Sequence, residues 1–143
     1  MSACGTQLYP ARVAESPCGK SLLATADLAA GVIVAKFEGP LVPAADVPES
    51  EICYALWLDE DRWLIPTSSA RYANHSCDPN CRVNDDLEVY TIRPVRADEE
   101  LTFSYNTVRA GEGEPPAWDP RWSFRCLCGS PQCQHQVDGW VYE

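Results

Sequence analysis

No run of apolar residues in the 143-residue chain approaches the ~20 that a membrane-spanning helix needs, so neither a helical span nor a membrane partner is expected. The opening residues, Met1-Ser2-Ala3-Cys4-Gly5, lack both a basic region and an apolar stretch, and no secretory signal is expected. Positive charge is scarce. Eleven Lys and Arg face 21 Asp and Glu, a net charge of −10, which argues against the broad basic patch that nonspecific DNA or RNA binding requires. No direct nucleic-acid partner is expected. Helical periodicity is weak everywhere, with only residues 47–53 suited to a turn or two. Internal repeats and low-complexity tracts are missing as well.

What is present reads as one mostly-β domain. A chain of this length can bury roughly two-thirds of its unfolded surface, enough for a core without disulfides. Leu22-Leu23-Ala24-Thr25 and Val32 to Phe37 are short apolar runs split by a turn at Ala29-Ala30-Gly31. Tyr54 to Leu58 and Trp63-Leu64-Ile65 flank Asp59-Glu60-Asp61-Arg62 and predict a hairpin. Leu87 to Ile92 and Leu101 to Tyr105 alternate as half-buried strands do. Residues 111–120 hold three prolines and two glycines and predict a loop. From Phe37 to Asp61 there are seven acidic residues and no basic one. That run is a solvated surface or an electrostatic guide for a basic peptide.

Eight cysteines remain. With no export signal expected, metal binding outranks disulfides. Cys126-Leu127-Cys128-Gly129-Ser130-Pro131-Gln132-Cys133 offers three thiolates in one compact loop, and zinc takes four ligands at about 2.3 Å. The fourth must come from elsewhere. Cys77, Cys81, Cys53, Cys18, Cys4 and His135 are the candidates.

A second cluster, Asn74-His75-Ser76-Cys77-Asp78-Pro79-Asn80-Cys81, is polar and rich in small residues, which predicts a tight irregular loop rather than a strand. His75 beside Cys77 suggests a nucleophile pair, but such close sequence neighbours seldom reach catalytic geometry.

Asn-His-Ser-Cys-x-Pro-Asn, then Glu-Leu-Thr-Phe-x-Tyr, then Cys-x-Cys-Gly-x3-Cys, in that order from Cys18 to Cys133, resembles a SET-domain protein-lysine methyltransferase. The resemblance implies small twisted β-sheets, a knot-like crossing of the Asn74 and Glu100 segments, and a C-terminal zinc-binding post-SET segment. It divides the chain into a SET domain at 8–106 and a post-SET segment at 107–143. It implies S-adenosylmethionine as cofactor, contacted by Cys18, Gly19 and Lys20 in an N-terminal loop, by Tyr54, by Asn74 and His75, and by Leu127. It assigns catalysis to Tyr105, with Tyr54 and Phe103 lining a lysine channel. It resolves the metal shortage through Cys77, giving one structural Zn2+ held by Cys77, Cys126, Cys128 and Cys133.

The implied partner is a lysine-bearing protein, met through a basic segment. The implied location is intracellular, cytoplasmic in a bacterial host and nuclear in a eukaryotic one. Phenylalanine at position 103, where the family alternates Phe and Tyr, implies addition of two or three methyl groups. Several positions depart from the family pattern. Phe37-Glu38-Gly39 stands for Tyr-x-Gly and removes a channel hydroxyl, and Ser21 replaces a loop glycine. The stretch 65–73 is compressed, and the insert between Leu41 and Cys53 is short, which implies a minimal groove. These departures leave one rival reading, a noncatalytic zinc-stabilised module that binds a basic peptide.

Overall fold

A computed structural model describes residues 9–16, 19–108 and 113–142 of the chain. Strands are short and pair in small groups. β1 (Ala11–Ser16) and β2 (Gly19–Ala24) form an antiparallel ribbon. β3 (Ile33–Lys36), β8 (Cys81–Val83) and β9 (Glu88–Thr91) make one three-stranded sheet with β9 central. β4 (Leu41–Val42), β5 (Leu56–Asp59) and β6 (Arg62–Leu64) make another with β6 central. The expected hairpin is β5–β6, turning at Glu60-Asp61 with Glu60 at φ 42°.

Alternation buries Leu22 and Ala24 of β2 and Val89 and Thr91 of β9, whereas in β3 a register shift between Ile33 and Ala35 buries the adjacent Val34 and Ala35 together; Val95 and Leu101 complete the core. Thr91 is polar but satisfied: its hydroxyl donates to Ala29 O at 2.7 Å and accepts from Val32 N at 2.9 Å. Gly39, at φ +153°, lets two segments meet. A Cβ there would sit 1.9 Å from the carbonyl oxygen of Ile65, so no other residue fits.

The structure corrects several sequence expectations. Asn74–His75 is not irregular loop but strand β7, and it pairs in parallel with β10 (Thr102–Phe103). β10 spans only two residues of the expected five. The Gly19-Lys20-Ser21 stretch, expected as a loop, is the start of β2, and the matching strand β1 carries no apolar alternation that foretold it. The turns near 47–53 are 3₁₀, at Ala44–Asp46 and Glu49–Glu51. A further 3₁₀ turn, Ser69–Tyr72, leads into Asn74. Cys4 and Cys18 lie outside the described residues.

Non-local pairing closes the molecule. β11 (Thr107–Val108) pairs in parallel with β14 (Val141–Tyr142), and β12 (Phe124–Arg125) pairs with β13 (Gln136–Val137) across the cysteine loop. Two buried asparagines reinforce these joints. Asn80 donates to Glu100 O at 2.8 Å and accepts from Thr102 N at 2.9 Å, stapling the Asn74–Cys81 segment to the Glu100–Tyr105 segment. Asn106, fully buried, donates to Gly139 O at 2.8 Å and to Gln134 Oε1 at 3.1 Å, while its own carbonyl accepts from Val141 N.

Candidate functional site

β7 and β10 set the registry of the site, because pairing Asn74 with Thr102 and His75 with Phe103 delivers both expected motifs to one place. Two residues beyond Phe103, Tyr105 turns inward. Its backbone N–H donates to His75 Nδ1 at 3.0 Å, and its hydroxyl donates to the Ala73 carbonyl at 2.8 Å. That hydroxyl therefore lies one residue from Asn74. Burial, with acidic neighbours including Glu100, pushes the phenol well above its ordinary value, so it stays protonated.

An aromatic wall surrounds Tyr105. Phe103 lies 4.9 Å from its ring and 5.6 Å from Phe37, while His75 and Phe124 lie at 5.4 and 5.8 Å. Burial lowers His75 to about 4, so the imidazole is neutral. Its Nε2 faces Cys77 Sγ at 3.4 Å. Phe103 and Tyr105 line a depression of about 1390 Å³, with buried Phe37 packed against Phe103, and exposed Tyr54 stands on the same depression nearer solvent.

At the polar end, Asn74 Nδ2 donates to Glu100 Oε2 at 2.9 Å and to Lys20 O at 3.1 Å. The Lys20 ammonium lies 5.2 Å from the centre of the Tyr72 ring. An amide and a carboxylate are thus paired at Asn74, while the Lys20 ammonium is turned to the Tyr72 ring. Glu100 and Tyr72 were not foreseen from sequence, and Phe124 was missed too. The pairing of Glu100 with Asn74 is a contact between distant segments that no local spacing signals.

Among the described residues, Cys77, Cys126, Cys128 and Cys133 bring their four sulfurs within 4.8 Å of one another. The Cys77 and Cys126 sulfurs are 3.7 Å apart. That is too far for a disulfide and matches the edge of about 3.8 Å in a tetrahedron with Zn–S near 2.3 Å. Backbone donors surround the thiolates: Gln134 N reaches Cys77 Sγ at 3.3 Å, and His135 N reaches Cys133 Sγ at 3.4 Å. Such donors orient metal-bound sulfur. Cys81 is buried in the core and Cys53 is exposed, so neither joins the cluster, and His135 contributes its backbone rather than its ring. Leu127, between two of the ligands, is 81% exposed.

All five tryptophans line the rim of the same depression. The Trp63 and Trp122 rings are tilted with centres 5.0 Å apart, Trp118 meets Trp140 edge to face at 5.2 Å, and Trp57 is tilted against Trp140 at 6.4 Å. They join the β5–β6 hairpin to the C-terminal segment.

Comparison with known proteins agrees with this geometry. A SET domain family model matches residues 19–106. An H3 lysine-9-specific histone-lysine N-methyltransferase of Fusarium mangiferae is 41% identical over 75 residues, covering 45% of this chain and 22% of that protein. An H3 lysine-36-specific histone-lysine N-methyltransferase of Gibberella zeae is 37% identical over 96 residues, or 60% of this chain and 9% of that protein. Trithorax of Drosophila virilis, also named a histone-lysine N-methyltransferase, is 29% identical over 138 residues, 84% of this chain and 3% of its own. The chain thus spans less than a quarter of the length of each of these relatives. The crystal structure of KRYPTONITE in complex with mCHG DNA and SAH superposes with a TM-score of 0.67 at 22% identity, covering 90% of this chain and 29% of that one. With a family model spanning more than half its length and the motifs assembled at one site, the chain belongs to the SET-domain family.

Proposed function

We propose that the protein is an S-adenosylmethionine-dependent protein-lysine N-methyltransferase that accepts a lysine from a basic segment of a protein substrate. The observation that carries this reading is the Tyr105 hydroxyl, held on Ala73 O at 2.8 Å between an aromatic wall and the Asn74 patch. The named relatives are histone-lysine N-methyltransferases, which makes histone tails the first substrates to try.

The cofactor's chemical groups suit the residues present. Its amino-acid end carries an ammonium, and Asn74 brings together the Glu100 carboxylate and the Lys20 backbone carbonyl, both acceptors for such a group. Its adenine is a flat apolar surface, and Leu127 is an apolar side chain left 81% exposed. When bound, the cofactor supplies an electrophilic methyl group on a sulfonium. Cys18 and Gly19 belong to the same proposed set of contacts, with His75 supporting through its backbone strand.

The rest of the work is positioning. A lysine ammonium near pKa ~10.4 must lose a proton before its nitrogen can attack. A channel of Tyr54, Phe103 and Tyr105 disfavours the charged form by desolvation, and water carries the proton away. The protonated Tyr105 hydroxyl aligns the reacting groups. Phe37 and Phe103 put no hydroxyl at the inner end, which supports addition of a second and third methyl. Cys77, Cys126, Cys128 and Cys133 would hold a structural zinc, and we assign 8–106 to the SET domain and 107–143 to a post-SET segment. The net charge of −10 favours a basic protein partner over nucleic acid. The eukaryotic relatives support an intracellular site of action and give no support to a bacterial one.

Incubation of the zinc-loaded protein with methyl-labelled S-adenosylmethionine and core histones or a lysate tests the assignment. Label on lysine supports it. Cofactor binding without any labelled lysine would instead favour the peptide-binding module.

A further inference from the structure

Arg71 sits on the 3₁₀ turn that leads into Asn74, and its guanidinium is committed in three directions. It forms a two-pronged ion pair with the Glu51 carboxylate, Nη1 on Oε1 and Nη2 on Oε2, the latter at 3.0 Å. Nη1 also donates to Pro66 O at 3.1 Å. The Arg71 Cζ lies over the Tyr54 ring, 3.8 Å from the ring centre, a close cation–π contact. Glu51 holds Tyr54 from the other side as well, because its backbone carbonyl accepts from Tyr54 N at 3.0 Å and Ala55 N at 2.9 Å.

The pair is more shielded than the other ion pairs among the described residues. Arg71 and Glu51 side chains are 20% and 21% exposed, whereas each of Arg12–Asp98, Arg62–Asp59, Arg93–Asp78 and Arg121–Asp119 has at least one partner 46% or more exposed. A shielded, two-pronged pair is stiff and geometrically specific, which a surface pair is not. It also joins two parts of the site. Glu51 and Tyr54 belong to the short connection between β4 and β5, and Arg71 belongs to the turn that sets Asn74.

We propose that Glu51 and Arg71 are positioning residues that clamp the Tyr54 ring at the mouth of the lysine channel and couple its placement to the Asn74 turn. The proposal rests on the methyltransferase reading. In an acidic connection too short to build a deep groove, the clamp supplies the rigidity that a longer insert would give. An ordered Tyr54 ring presents one wall to the incoming lysine stem. A loose ring leaves the lysine free to miss the in-line path, where small misplacements are costly.

The test is a double-mutant cycle on methyl transfer to a histone peptide, using wild type, Glu51→Ala, Tyr54→Leu and the double variant. Arg71→Lys and Glu51→Gln serve as milder variants if a harsher one does not fold. Glu51→Ala should lower kcat/KM for the peptide about tenfold, mostly through KM, with cofactor affinity within about twofold. In the Tyr54→Leu background the same change should cost little, because the ring it positions is gone. Full additivity in an active enzyme overturns the clamp while leaving the methyltransferase reading intact. A second readout is the proton resonance of the Arg71 Nε–H, shifted by the ring beneath it. Loss of that shift in Glu51→Ala supports the clamp, and an unchanged shift overturns it. Wild type that methylates no lysine overturns the methyltransferase reading and the functional role together; the resonance then decides the clamp's geometry alone.

Discussion

Tyr105 is a single hydroxyl whose ring packs against Phe103, His75 and Phe124. Tyr105→Phe keeps that packing and removes only the hydroxyl bonded to Ala73 O. Transfer should fall on the order of 100-fold while calorimetry finds cofactor affinity nearly unchanged, because alignment rather than binding is lost. The phenol's raised pKa fixes the sign of the pH dependence. The rate should climb from neutral pH as substrate amines deprotonate, with no falling limb from Tyr105 below about pH 10. A descending limb near pH 9 in the wild type that is missing from the Phe variant would contradict this. Phe103 packs against Phe37 at 5.6 Å and, in the proposed reading, closes the inner end of the channel. Phe103→Tyr adds a hydroxyl there, and ~1–3 kcal/mol of new polar contact is enough to change product ratios tenfold. Mass spectrometry of the peptide should find products moving from di- and trimethyllysine to monomethyllysine, with the first transfer preserved.

At the scale of elements, pairs two residues long carry the architecture. β7–β10 and β11–β14 have too few ladder bonds to persist alone, and side chains fasten them. Asn106 illustrates this. Its amide satisfies Gly139 O and Gln134 Oε1, so Asn106→Ala leaves two half-buried carbonyls without their donor. A cost of about 1–3 kcal/mol follows, visible as a lower thermal midpoint. The loss should concentrate on the C-terminal pairing, read as faster amide exchange at Val141. Asn106→Asp, which keeps the shape but not the donor, should do the same. If exchange at Val141 is unaffected in both, the tether is not what holds β14.

For the molecule as a whole, two independent fastenings hold the C-terminal segment over the site. One is the sulfur cluster, which ties 126–133 to Cys77. The other is the tryptophan group, where Trp118, Trp122 and Trp140 pack on Trp57 and Trp63 of the β5–β6 hairpin. Four thiolates released from zinc repel or take up protons, so chelation should loosen the loop around Cys126 to Cys133 and abolish most activity. The tryptophans should remain packed, with emission changing little. Amide exchange and fluorescence on the chelated protein measure the two separately. Simultaneous loss of both would mean that the zinc alone holds the segment.

By itself the sequence determined what depends on neighbours along the chain. Cys126, Cys128 and Cys133 share one loop, so their joint role is visible as spacing. The β5–β6 hairpin and the β9 strand follow from apolar alternation around polar turns. The ordered motifs ending in Tyr105 point to the family. Spacing alone left the fourth ligand open and the resemblance pointed to Cys77; the tertiary structure brings that sulfur to the cluster from 49 residues away along the chain. It likewise made strands of Ala11–Ser16 and Asn74–His75, whose residues lack apolar periodicity and gain order through partners distant in sequence. It brought Glu100 to Asn74, Arg71 to Tyr54 and five scattered tryptophans to one rim. Each of these is a contact between segments, and its free energy exists only once the chain has closed the loops between them.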